Sequence, residues 1–207
     1  MPYASADPSV VRSIRQRVLL DAWLRALRKP KHLPALIDFD PEIGIEELAD
    51  MMGFAVEGES ETARFRITQE GARLAETYGN NHVEPHHRIN RYLDDAIGPD
   101  RYAVVMACYH ECLRYQRPVY SITAVSDADG KEVSYERLLL PFGGDGAVDH
   151  IVGSYKTISI DGGFKVNNLM GIRPMSAPTR LVNAVIDRDL ARRPAGVRTS
   201  DDIVELD

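Results

Sequence analysis

Residues 119–158 decide the fold, and they read VYSITAVSDADGKEVSYERLLLPFGGDGAVDHIVGSYKTI. Three segments of this stretch are rich in β-branched and aromatic residues and are predicted to be strands: 119–126, 132–140 and 148–158. The connectors DADG at 127–130 and GGDG at 143–146 are typical of hairpin turns. The spacing therefore predicts an antiparallel meander of three strands.

Working outward toward the N-terminus, residues 101–116 form the clearest predicted helix of the chain. Gly98, Pro99 and Asp100 precede it, and Arg117 and Pro118 end it. Further upstream, strands are predicted over 54–59 and 64–68, because Phe65 and Ile67 alternate with charged residues. Short helices are predicted for the segments between these elements: 41–52, 71–78 and 86–97.

The N-terminal segment predicts a long helix over residues 8–28, because the pair Asp7 and Pro8 is a common helix start. Apolar residues occur on most sides of this helix. Such a helix must be covered on more than one side, and the favoured cover is a second copy of the chain. The residues expected at this homodimer contact are Ile14, Val18, Leu20, Trp23 and Leu27.

The element order predicts an α+β fold with a helical segment over 1–52, a core over 53–160 and a tail over 161–207. Within the tail, residues 179–190 show a helical stripe that includes Leu181, Val182, Val185 and Ile186. This short helix could dock a partner, lie on the sheet, or remain marginal in a disordered tail.

Charge and composition exclude several classes of function. The formal net charge is −6 and the pI is near 5.5, so bulk electrostatics argue against binding nucleic acid or anionic membranes. The longest apolar stretches are too short to cross a bilayer, and the first residues show no secretory signal. With two cysteines and no export signal, the expected compartment is the reducing cytoplasm.

A series of short motifs resembles one known family. The motifs are WLR at 23–25, LP at 33–34, DFDP at 38–41, RFRI at 64–67, YG at 78–79 and YERLLLPF at 135–142, followed by Asp145-Gly146 and Val148-Asp149. Together they resemble short bacterial single-domain PAS proteins, over about two thirds of the chain. The resemblance implies a five-stranded antiparallel sheet with short helices that enclose a small cavity, preceded by the N-terminal helix.

The same resemblance implies a sensory or regulatory module in bacterial signal transduction. Its output would be a contact with a signalling partner, and its cavity could hold a small-molecule ligand. The alternatives that remain open are a haem- or metabolite-binding sensor and an uncharacterised enzyme. The favoured prediction is that the chain is not an enzyme, because neither a Gly-x-Ser-x-Gly elbow nor a His-Glu-x-x-His motif occurs in it.

A ligand cavity in this fold would be lined by the long helix and the last three strands. The ligand-binding candidates are Met106, Tyr109, His110, Tyr120, Tyr135 and Arg137, because small-molecule pockets use a few polar groups for orientation. The alternative is a set of core tyrosines with bonded hydroxyls. The sequence leaves open which face of the sheet points inward.

No cofactor or metal is assigned from the sequence. His110 could ligate haem as a histidine on the long helix, but a metal-free imidazole is the favoured interpretation. Cys108 and Cys112 share a helix face and are interpreted as reduced core residues. The cluster of His82, His86 and His87 contains Pro85, which opposes a continuous helix, so a solvated loop is favoured over a metal site.

Overall fold

A computed structural model describes residues 3–27, 33–77, 89–97, 99–126, 132–143, 146–159, 179–187 and 189. The fold is mixed α+β, built on one sheet of seven strands. The strands are β1 (Ala4–Ala6), β2 (Met51–Glu57), β3 (Arg64–Glu70), β4 (Val119–Ser126), β5 (Glu132–Phe142), β6 (His150–Ser159) and β7 (Thr179–Ile186). Their order across the sheet is β1-β7-β4-β5-β6-β2-β3.

The described helices are α1 (Ile14–Ala26), α2 (Ile45–Leu48), α3 (Ala72–Thr77), α4 (Leu93–Ile97) and α5 (Pro99–Tyr115). Short 3-10 turns occur at Pro8–Val10, Leu36–Asp38 and Ser60–Thr62. The described part of the chain contains no helix with both the length and the apolar character needed to span a lipid bilayer.

The predicted meander is confirmed. Strands β4, β5 and β6 pair consecutively and antiparallel, with Val119 opposite Leu139 and Arg137 opposite Tyr155. Strand β2 lies beside β6 and pairs with β3 on its other edge, also antiparallel. The predicted long helix is also present, and α5 ends at Tyr115, just before Gln116 adopts a positive φ of 50°.

The N-terminal helix is shorter than predicted. Asp7 caps only a 3-10 turn, by accepting a hydrogen bond from the Ser9 N–H at 2.8 Å. Val11 then adopts an extended conformation, and Ser13 caps a separate helix by accepting a bond from the Gln16 N–H. The prediction of one helix over 8–28 is therefore wrong, because an extended and fully buried Val11 separates the 3-10 turn from α1.

The tail segment is a strand, so the prediction of a helix over 179–190 is wrong. Strand β7 pairs antiparallel with β4, and β1 adds to its other edge in parallel. These two strands bring the number of strands in the sheet to seven, whereas the prediction is five. Apolar residues at positions 181, 182, 185 and 186 fit either a helix or a strand. The edge of β4 provides backbone hydrogen-bond partners, and these select the strand.

Helices cover both faces of the sheet. The Tyr109 hydroxyl of α5 lies 2.6 Å from the Tyr155 hydroxyl of β6, so α5 covers the face to which Tyr155 points. On the opposite face, the indole N–H of Trp23 in α1 donates to the carbonyl of Pro141 at 2.7 Å. We call these the inner face, under α5, and the outer face, under α1.

Three of the five residues expected at a dimer contact lie in the chain's own core. Leu20 and Trp23 are 0% exposed and Leu27 is 8% exposed, because α1 packs this side against the outer face. Their assignment to a dimer contact is therefore corrected. Only Ile14, at 71% exposure, and Val18, at 36%, remain accessible to another molecule.

One continuous core links all parts of the described chain. Trp23 of α1, Phe54 of β2, Cys112 of α5 and Val185 of β7 belong to the same cluster of buried apolar side chains. The predicted boundary at residue 52 falls within β2, which begins at Met51, and the predicted boundary at residue 160 lies outside the described residues.

Candidate functional site

A row of polar residues crosses the inner face of the sheet. Tyr155 of β6 pairs with Arg137 of β5, which pairs with Ser121 of β4, which pairs with Asn183 of β7. Directly paired residues of neighbouring strands point to the same side of a sheet, so these four side chains share the inner face. We call this set the polar row, and helix α5 lies over it.

Arg137 is the charged member of the polar row. One of its terminal nitrogens, Nη1, donates to the Sγ of Cys108 on α5 at 2.8 Å. Its guanidinium carbon lies 5.6 Å from the ring centre of Tyr135 and 5.8 Å from that of Tyr155, within reach of cation–π attraction. The cation is therefore held by a thiol and two aromatic rings.

No carboxylate neutralises Arg137 within the described part of the chain. No described Asp or Glu oxygen lies within 4.0 Å of the guanidinium, and its buried Nε has no hydrogen-bond partner there. Burial opposes the charge, but Cys108 and the tyrosine hydroxyls hold the pKa of Arg137 above its ordinary value. A half-buried cation with an unpartnered Nε retains the capacity to bind an acceptor.

Further aromatic side chains pack between α5 and the strands β2, β3, β5 and β6. The Tyr109 ring makes edge contacts with Phe54 and Phe65, with ring centres 5.3 Å and 5.1 Å apart. The Tyr135 and Tyr155 rings lie 6.1 Å apart. An apolar surround lowers the local dielectric, and it strengthens any hydrogen bond made to the guanidinium.

Tyr3 lies just before β1 and packs against the buried core, within electrostatic reach of Arg137. Burial, followed by the Cys108 thiol, raises the pKa of the Tyr3 hydroxyl well above its ordinary value, while Arg137 and Arg180 act in the opposite direction. Tyr3 therefore stays a neutral hydroxyl at physiological pH. The sequence provided no sign of this residue's position, because β1 was not predicted.

The structure brings together four of the six predicted ligand-binding residues. Met106, Tyr109, Tyr135 and Arg137 all contribute to the inner side of the fold, between α5 and the sheet. Among them, Met106 is 5% exposed and packs in the apolar core. The alternative of tyrosines with bonded hydroxyls also applies in part, because Tyr109 and Tyr155 bond to one another.

Tyr120 does not belong to this group, so its assignment is corrected. It is paired with Leu138 and with Ala184, one residue out of phase with the polar row, and it therefore points to the outer face. Its hydroxyl accepts a hydrogen bond from the Arg12 backbone N–H at 3.1 Å. Burial raises the pKa of Tyr120 above its ordinary value.

His110 lies on α5 but against β3. Its ring centre is 6.4 Å from that of Phe65, and its buried Nε2 has no partner among the described residues. In the same part of the chain, no group of three or more His, Cys, Asp or Glu side chains is close enough to hold a metal ion. The predicted loop with His82, His86 and His87 lies outside the described residues.

The two cysteines have different neighbours although both are buried and free of disulfides. Cys108 donates to the Val105 carbonyl at 2.8 Å and accepts from Arg137, so its thiol acts as both a hydrogen-bond donor and an acceptor. Cys112 contacts the Arg117 carbonyl at 3.6 Å, and burial, followed by Cys108, raises its pKa well above the ordinary value. The link between Cys108 and Arg137 was not predicted from the sequence, because it joins residues 29 apart.

The fold and the site define an α+β protein whose inner face carries a half-buried arginine, Arg137, with no described carboxylate within 4.0 Å. No family model matches the chain, and no curated protein matches it. Five chains of solved structures match, and one is an RNA-binding light-oxygen-voltage receptor. That receptor is 18% identical, with a TM-score of 0.34, over 56% of this chain and 31% of the receptor chain.

The chain thus spans less than a third of that receptor chain. A TM-score of 0.34 reflects a poor superposition, so neither the RNA binding nor the light response in the receptor's name transfers to this chain. The function has to be inferred from the residues of this chain, above all from those around Arg137.

Proposed function

We propose that this chain is a sensory or regulatory module of the PAS type, which binds a small anionic ligand at Arg137 and signals through protein contacts. The order of its elements supports the PAS type: two strands, short helices, the longer helix α5 and a three-strand meander. Helix α5 lies against the meander, so a ligand bound at Arg137 would lie between this helix and the sheet.

The observation that carries the ligand proposal is the state of Arg137. Its charge lies under α5 among aromatic rings, without a described carboxylate to neutralise it. A ligand carboxylate or phosphate would supply the missing acceptor for Nε and form charge-assisted hydrogen bonds in a site of low dielectric. Tyr135, Tyr155 and Tyr109 would then orient the rest of the ligand.

Pairs of ligands that differ only in charge test this proposal. We expect small carboxylic acids to raise the unfolding temperature of the purified protein, and the corresponding primary amides to raise it much less. At a ligand concentration of 100 Kd, the stabilisation should be about 2.7 kcal/mol. Acids and amides that stabilise equally, or a protein that no acid stabilises, would contradict the proposal.

A charge-removing variant locates the site. Arg137→Gln should lower the affinity for the stabilising acid by about 10-fold or more, because it removes a charge-assisted bond. The matched control is Arg25→Gln, which removes an exposed charge from α1 on the other side of the sheet. A Soret absorption band in the purified protein would instead favour the haem alternative, with His110 as its ligand.

A further inference from the structure

Exposed apolar side chains concentrate on the outer side of the fold. Nine large apolar residues are exposed in the described part of the chain. Six of them fall between positions 14 and 48: Ile14, Val18, Leu36, Ile37, Ile45 and Leu48. We call these six residues the apolar patch. Such a concentration marks an interaction surface, whereas single exposed apolar residues are normal.

Ion pairs join the two halves of the apolar patch. Arg15 on α1 pairs with Glu46 of α2 at 3.3 Å and with Glu47 at 2.9 Å. Ile14 and Val18 lie within one helical turn of Arg15, and Ile45 directly precedes Glu46. These ion pairs therefore bring together the two segments that carry the apolar patch.

A groove deepens this surface. Its cavity volume is about 300 Å³, and its walls include Leu36, Phe39, Ile43, Leu48, Met51 and Val152. The walls are mostly apolar, and the two most exposed patch residues, Ile37 at 92% and Ile45 at 87%, belong to the same 36–48 segment as half of the wall residues. An apolar side chain of another protein molecule could enter this groove and be removed from water.

Charges of opposite sign flank the apolar patch. Residues 38–50 contain six acidic residues and no lysine or arginine, and Asp40 and Glu42 are exposed among them. Residues 8–20 contain three arginines and no acidic residue. Because a helix turns by about 100° per residue, Arg17 lies on the flank of Ile14 and Val18 that is opposite to Arg15 and α2.

A surface with a basic edge on α1, the acidic segment 38–50 on the other side, and the apolar patch with its internal Arg15 ion pairs between them is complementary to itself under two-fold rotation. Rotation places the basic edge of one copy against the acidic edge of the other and the apolar middles against each other. We propose that the apolar patch and its charged edges form the interface of a two-fold homodimer. This interface lies on the outer face, so it does not depend on the ligand at Arg137.

Oligomeric state tests the interface with the full chain. We expect light scattering after size exclusion to report a dimer for the wild type. Ile37→Asp and Ile45→Asp should each weaken the dimer by about 10-fold or more, because they bury a charge at the contact. The matched control is Ile89→Asp, at an exposed isoleucine outside the patch, which should remain dimeric. A monomeric wild type, or dimers unaffected at Ile37 and Ile45, would overturn the proposal.

Charge reversal separates a second copy from any other partner. The variant Arg12→Glu/Arg17→Glu makes both edges acidic, and Asp40→Lys/Glu42→Lys makes both edges basic. Each variant alone should be monomeric, and an equimolar mixture should form heterodimers, because both edge contacts are then attractive. All four positions are exposed, so these variants should fold. A mixture that stays monomeric would show that this surface binds something other than its own copy.

Discussion

The two faces of the sheet bear buried charges in different ways. On the outer face, the Asp50 carboxylate, 6% exposed, accepts a hydrogen bond from Arg73 at 2.6 Å and a further bond from Lys156. On the inner face, Arg137 has a thiol and two aromatic rings but no described carboxylate. The Asp50 charge is compensated by two cations, although Glu136, 2% exposed on the same face, has an Oε2 without a described partner. Arg137 has no described carboxylate within 4.0 Å.

Packing differs between the faces as well. The outer face is sealed by α1, where the Gln16 amide donates to the Ser154 carbonyl at 3.0 Å and Trp23 to Pro141. The inner face is covered by α5 through tyrosine and cysteine side chains that hydrogen-bond across the gap. The proposed ligand at Arg137 predicts that variants on the outer face cost more stability than a variant at Arg137, and variants on the two faces test this prediction.

The largest expected effect is the loss of Trp23 on the outer face. Trp23→Ala removes a fully buried indole and its hydrogen bond, and should lower the free energy of unfolding by about 3–5 kcal/mol. Urea denaturation followed by circular dichroism measures this loss. A loss below about 1 kcal/mol would mean that α1 is not part of the core, and the contrast between the faces would fail.

A smaller loss is expected when the outer carboxylate is neutralised. Asp50→Asn leaves Arg73 and Lys156 without their shared anion, and should lower the free energy of unfolding by about 3 kcal/mol. Urea denaturation again provides the measurement.

The control for this variant is Glu57→Gln. It breaks an ion pair with Arg66 at the surface, where solvent screens the charges, so its loss should be several-fold smaller. Equal losses in the two variants would show that Asp50 behaves as a surface charge.

Local sequence patterns predicted the elements whose signals lie close together in the chain. The 119–158 meander and α5 were predicted because alternation, turn residues and proline occur within a few positions of each other. Strand β7 was missed because its spacing of apolar residues fits both a helix and a strand, and pairing with β4 decides between them. Strand β1 was missed because three residues are too few to show an alternation of apolar and polar residues. Residues far apart in the chain determine both of these strands.

The sequence also predicted only part of the candidate site. Polar residues in an apolar stretch suggested Arg137 and Tyr135, and the structure places both on the inner face. Tyr120 was misassigned because the sequence shows which residues alternate along β4 but does not show which of the two sets faces α5. Trp23 was misassigned because a buried helix face and a dimer contact have the same apolar pattern.

The smallest effect on stability is expected at Arg137 itself. Arg137→Met replaces a partly desolvated cation by an apolar side chain of similar length, and should change the free energy of unfolding by less than about 1 kcal/mol. The lost cation–π contacts are offset by the removal of a charge that no described carboxylate compensates. On the outer face, Lys156→Met should destabilise the fold more, because it removes a partner of the buried Asp50. Equal destabilisation by the two variants in urea denaturation would show that Arg137 serves the fold, and would remove the reason to expect a ligand beside it.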